Sequence, residues 1–207
     1  MKKYIVLAIL FIFPLVVYLF FASGVNRFAK LPVLTKNVQE ISAYSDAQFK
    51  DRITVLGFFG NVLQDKKALA LNLNQKIYKR FYKFTDFQFL IALPEGSEAQ
   101  AENLKQEIEG TTGTDMSRWN FVFLSPNDLQ GVFKSLNLPL SLDSNLSNPF
   151  VFIIDRDVNL RGRDDDDFFG YDARSVADIN NNMVDDVKVI LAEYRLALKK
   201  YNQGRKP

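Results

Sequence analysis

Four short apolar runs, separated by segments of a different periodicity, constrain this chain more than any other feature. Residues 53–59 (ITVLGFF), 87–93 (FQFLIAL), 119–124 (WNFVFL) and 150–155 (FVFIID) are rich in β-branched and aromatic side chains and bounded by turn residues. Runs of that length and continuity predict strands buried on both faces. Between the first two, Leu69, Leu73, Ile77 and Phe81 recur every four positions, which predicts a helix over 65–81. Lys76, Lys79, Arg80 and Lys83 suit its negative C-terminal end.

The remaining elements are punctuated by their caps. Ser97 with Gln100 three residues on forms a capping-box pattern for a helix to 109, which Gly110 is expected to stop. Ser125 followed by Pro126 predicts a short helix through Leu129, Val132, Phe133 and Leu136. Residues 157–159 are expected to turn the fourth strand back into 160–163 as a hairpin, and 173–201 reads as one long helix. Asn180, Asn181 and Asn182 are poor helix formers there and are expected to face water. Alternating strands and helices followed by a hairpin predict an α/β fold, a largely parallel sheet with an antiparallel edge.

Ahead of this lies a different kind of segment. After Lys2 and Lys3, no charge occurs from Tyr4 to Ala22, and the stretch is apolar all round with Pro14 inside it. As a helix it spans roughly 28 Å, the thickness of a bilayer's hydrocarbon core. A cleaved signal usually has a shorter apolar region of about 7–15 residues. The segment therefore reads as one N-terminal transmembrane anchor, with a cytoplasmic N-terminus and the remainder on the periplasmic, extracytoplasmic side. The expected organisation is an anchor over 1–22, a linker and extended lead-in over 23–50, the folded domain over 51–201 and a tail over 202–207. Removing Lys2 and Lys3 leaves 24 basic against 24 acidic residues, and no basic stripe marks a nucleic-acid partner.

The chain of 207 residues contains no Cys and no His. That excludes disulfides, thiol redox chemistry, a Cys nucleophile and a His general base. It also removes the usual ligands of zinc, copper and iron–sulfur centres, so no cofactor is expected.

The strand and helix order resembles the thioredoxin-like fold, a three-layer sandwich, and three local matches resemble the Sco family of cytochrome oxidase assembly proteins within it. Residues 149–155 (PFVFIID) look like the family's proline-then-strand segment. Trp119 to Phe121, with Ser125, Pro126, Asn127 and Asp128, is similar to its third strand and helix. Residues 155–163 (DRDVNLRGR) resemble its closing hairpin, with Asn159 in place of a glycine, a residue that tolerates positive φ. The resemblance implies that Pro149 is a cis-proline beside a redox or copper site. It also places the family's C-x-x-x-C motif near Val62 and Lys66, which can neither ligate copper nor exchange disulfides.

Two function classes follow. One is a non-catalytic module held at the membrane, recruiting a membrane or periplasmic protein. The other is a carboxylate-dependent metal-binding protein or hydrolase built on Asp164, Asp165, Asp166 and Asp167. That run lacks the alternating spacing of a calcium loop, and Arg161 and Arg163 stand close enough in sequence to neutralise two of its charges. The first class is the expectation. Asp155 and Asp157 read as strand-end and turn residues; Phe58, Phe59 and Trp119 read as core, and residues 168–171 (FFGY) as hairpin-to-helix packing.

Overall fold

The runs read as strands lie in one seven-stranded sheet, and their alternate residues fill two separate cores. The computed structural model describes residues 3, 10–18, 30–164 and 168–203. Its elements in chain order are β1 (Val33–Thr35), β2 (Ile53–Phe59), α1 (Lys67–Leu73), α2 (Lys79–Phe81), β3 (Phe87–Pro94), α3 (Glu98–Thr112), β4 (Trp119–Leu124) and α4 (Pro126–Ser135). There follow β5 (Ser147–Ile154), β6 (Leu160–Arg161), β7 (Tyr171–Asp172), α5 (Val176–Asp178) and α6 (Val184–Gln203). The sheet order is β1-β6-β5-β2-β3-β4, with β7 beside β5.

The period-2 geometry of a strand explains the two cores. Ile53, Val55 and Phe59 of β2 and Phe87, Phe89, Ile91 and Leu93 of β3 point to one face, where α1, α2, α3 and α6 cover them. Leu56, Phe58, Leu90 and Ala92 point to the other, beneath α4 and the lead-in. The first core holds an aromatic cluster in which Tyr78 lies 5.4 Å from Trp119, and Trp119 lies 4.6 Å from Phe89. The three-layer arrangement is therefore present, and Phe58, Phe59 and Trp119 are core.

Several expectations change. Among the described strands only β2, β3 and β4 run parallel, while β5 enters antiparallel beside β2 in mid-sheet rather than at the edge. Residues from Leu31 onward belong to the folded body: β1 pairs with β6, and Val38, Ile41 and Phe49 are fully buried. Their apolar spacing follows neither period, which is why they read as linker. Ser97 makes no side-chain cap, Gln100 instead accepts from the Leu63 N–H at 3.3 Å, and α3 runs past Gly110 to a left-handed Gly113. Both long helices contain a π turn, Asn74–Tyr78 in the first and Ile179–Met183 in the last. The second turn draws Asn182 inward, where it donates to Asp178 at 2.6 Å and accepts from Arg163 at 2.9 Å.

In the hairpin turn the left-handed residue is Val158, not Asn159. Asp155 Oδ1 accepts the N–H groups of both Asp157 and Asn159 at 2.9 Å, and this grip sets the turn. The transmembrane span expected between Tyr4 and Ala22 falls largely outside the described residues. Residues 10–18 are helical with Leu10, Phe11, Phe13 and Tyr18 exposed. No helix among the described residues is long and apolar enough to cross a membrane.

Candidate functional site

The loop after β2 is shaped by the turn that ends the strand. Gly60 has φ +71°, and a Cβ there would lie 2.2 Å from the Asn145 carbonyl oxygen, so the position requires glycine. The next N–H, that of Asn61, donates to the same carbonyl at 3.1 Å. Val62 is exposed and Leu63 is buried, which anchors the loop onto the first core. Lys66 then reaches back, its Nζ donating to Ser147 Oγ at 2.7 Å.

The opposing loop is equally tied. Asp143 Oδ1 accepts the N–H groups of Asn145 and Ser147 at 2.9 Å, and the Asp143 N–H donates to the Ser147 carbonyl at 3.0 Å. Val62 and Lys66 therefore stand on one loop whose contacts close it against the start of β5. The loop offers an ammonium, a hydroxyl and an aliphatic side chain. It can fix the end of the sheet, but nothing in it can exchange electrons or bind a soft metal.

Pro149 lies at this place but is not cis: no peptide bond among the described residues is. The strand pairing explains why. Gly57 pairs with Val151 and Phe58 with Asn148, so Pro149 and Phe150 form a bulge with no partner on β2. A trans proline fits there because its missing N–H removes no ladder bond. Asn148 Oδ1 accepts the Phe150 N–H at 2.9 Å, and the Pro149 carbonyl accepts from Ala173 at 3.0 Å.

The aspartate run is only partly visible: Asp164 is exposed, while Asp165, Asp166 and Asp167 lie outside the described residues. Among the described residues, no group of three or more acidic side chains could hold a metal ion. Arg161 turns inward. It pairs with Asp155 at 2.9 Å and Glu193 at 2.7 Å, and its Nε donates to the Leu31 carbonyl at 2.8 Å. Arg163 pairs with Asp186 at 2.8 Å, and Asp186 also accepts from the buried Tyr171 hydroxyl at 2.9 Å. Burial first, and then the Asp186 carboxylate, hold the Tyr171 proton far above the usual phenol range. The Phe168 ring meets Tyr171 edge-on at 5.1 Å, and it is the Tyr171 hydroxyl that joins this segment to α6 through Asp186.

Sequence reasoning missed the partners in these networks, above all Ser147, Asp186 and Glu193. It also missed two clefts at the far edge of the sheet, of about 630 and 570 Å³, beside Arg52, Arg118 and β4. Arginines placed immediately before the first and third predicted strands were the available signal.

No protein-family description and no curated protein sequence matches this chain. Solved structures do. A SCO1/SenC family lipoprotein from Bacillus anthracis superposes with a TM-score of 0.54 at 18% identity, covering 82% of this chain and 99% of that one. BsSco, described as a member of the Sco family of cytochrome c oxidase assembly proteins with a disulfide switch, superposes with a TM-score of 0.52 at 10% identity. That match covers 77% of this chain and 94% of the other. The likeness establishes the thioredoxin-like fold, carried here without cysteine or histidine.

Proposed function

We propose that this chain is a membrane-anchored, redox-inactive thioredoxin-like protein that works as a binding or assembly module outside the cytoplasmic membrane. The observation that carries the reading is the loop at Gly60–Lys66. Where the resemblance to the Sco family calls for paired cysteines, Val62 and a Lys66–Ser147 hydrogen bond stand instead. The fold is present without the reactive groups, which supports a role carried by its surface.

The anchor rests on the uncharged stretch from Tyr4 to Ala22. The setting rests on analogy with the lipoprotein and the assembly protein that share the fold. In its own cells, the full chain with a C-terminal epitope should stay in membranes through an alkaline carbonate wash. Protease added outside spheroplasts should remove the epitope. Release by carbonate, or an epitope protected from external protease, would overturn the reading. Partner recruitment is read by quantitative capture in mild detergent against an unrelated anchored protein, and repeated recovery of no enriched protein would count against a module.

A further inference from the structure

The outer edge of β4 is open among the described residues. Among the described residues β4 ends the sheet, and only its β3 side is paired. The carbonyls of Arg118 and Leu124 accept from β3 and the residue after it, through Phe89 and Glu95 N–H at 2.9 and 3.0 Å. Backbone direction alternates along a strand, so Asn120 and Val122 also face β3. The N–H and C=O groups of Phe121 and Phe123, with the Trp119 carbonyl, therefore face the open edge. The strand WNFVFL carries none of the charges or prolines that normally blunt such an edge.

This edge lies in a groove. The cleft of about 570 Å³ runs along β4 between Ala101, Glu102 and Lys105 of α3 on one side and residues 45–47 on the other. It shares Asp46, Ala47 and Asn120 with the cleft of about 630 Å³ at the N-terminal end of the strand. There Arg52 donates to the Thr85 carbonyl at 2.8 Å, and Arg118 donates to the same oxygen and to Phe84 at 3.2 Å. Two guanidinium groups thus converge on one neutral acceptor. No carboxylate among the described residues lies within 4.0 Å of either. Each guanidinium keeps N–H donors in the forked geometry that matches a carboxylate.

We propose that this edge binds the free C-terminal segment of a partner polypeptide as an added antiparallel strand. The terminal carboxylate sits at Arg52 and Arg118, beside the start of β4, and the peptide backbone runs back along Phe121 and Phe123. Glu98 and Glu102 at the start of α3, by the far end of β4, with Asp46 opposite, outnumber Lys105 in the groove and select a basic side chain upstream of that terminus. The site is separate from the loop at Gly60–Lys66 and does not depend on the membrane reading, so either can fail alone.

The test pans the full chain, in mild detergent, against random heptapeptides displayed with free C-termini. The best sequence is then synthesised as fluorescein-labelled free acid and as C-terminal amide for anisotropy titration. Enrichment of sequences with an upstream Lys or Arg is expected. Amidation should weaken binding at least tenfold, Arg118→Gln should do the same, and Val62→Ala should leave affinity unchanged. No enrichment over a blank support, or equal affinity of acid and amide, would overturn the proposal. So would a dimer in sedimentation that Phe123→Lys abolishes, which would make a second copy the occupant.

Discussion

The two edges of the sheet are finished in opposite ways. At the β1–β6 edge, a guanidinium with only 5% of its side chain exposed ties the lead-in, the hairpin turn and the C-terminal helix together through Leu31, Asp155 and Glu193. At the β4 edge, Arg52 and Arg118 hold a carbonyl and face a cleft. The same residue type is consumed by structure at one side and left with donors at the other. A buried ion pair loses heavily when one partner is removed, because the other stays charged in a poor solvent. A half-exposed guanidinium on a carbonyl has little to lose. The β1–β6 edge is thus locked by a buried ion-pair network, whereas the guanidinium groups at the β4 edge rest on carbonyls beside a cleft.

The largest expected effect contrasts the two edges directly. Arg161→Met should lower the unfolding free energy by roughly 3–5 kcal/mol in urea titrations, whereas Arg118→Met should stay within about 0.5 kcal/mol. Comparable losses would erase the distinction. Next comes alkaline pH, which probes what supports the open edge. Tyr78 packs against Trp119, its hydroxyl accepts the Arg118 N–H at 3.0 Å, and burial pushes it up to about 12. Unfolded tyrosine releases its proton near 10 while the folded group keeps it. The stabilisation is complete below pH 10 and is lost as pH rises towards 12, by roughly 2–3 kcal/mol for this residue. Tyr78→Phe should flatten that part of the stability profile, and an unchanged slope would count against a buried hydroxyl.

Two smaller effects sharpen the picture of the closed loop. Gly60→Ala should cost about 1–2 kcal/mol for the left-handed conformation alone, with further loss as the loop at Asn145 shifts. Lys66→Met should cost about 1 kcal/mol, the net value of one hydrogen bond to Ser147. Neither should alter peptide binding at β4. If Lys66→Met left stability untouched but abolished partner capture, the loop would be a binding site rather than a closure.

Much of the fold was legible because it is local. Buried strands announce themselves as continuous apolar runs, and Ser125 does cap α4, accepting the Asp128 N–H as its sequence context predicts. What was illegible depends on distant pairings. Leu31, Val38, Ile41 and Phe49 join the cores from a segment without periodicity. Pro149 was expected cis by resemblance, whereas the bulge beside it is visible only in the register with β2. Ser147 meets Lys66 across 81 positions. Strand order is not written in apolarity either: WNFVFL looks like an interior strand, yet helices and the lead-in bury its two faces while its backbone edge stays open.

The most direct test of the account is photo-crosslinking in cells, with a benzophenone amino acid placed in the full chain at Phe123 or at Val62. The account predicts a discrete higher-mass adduct from position 123 and none from position 62. An adduct from 62 with none from 123 would contradict it, returning the work of this protein to the loop that the structure shows closed.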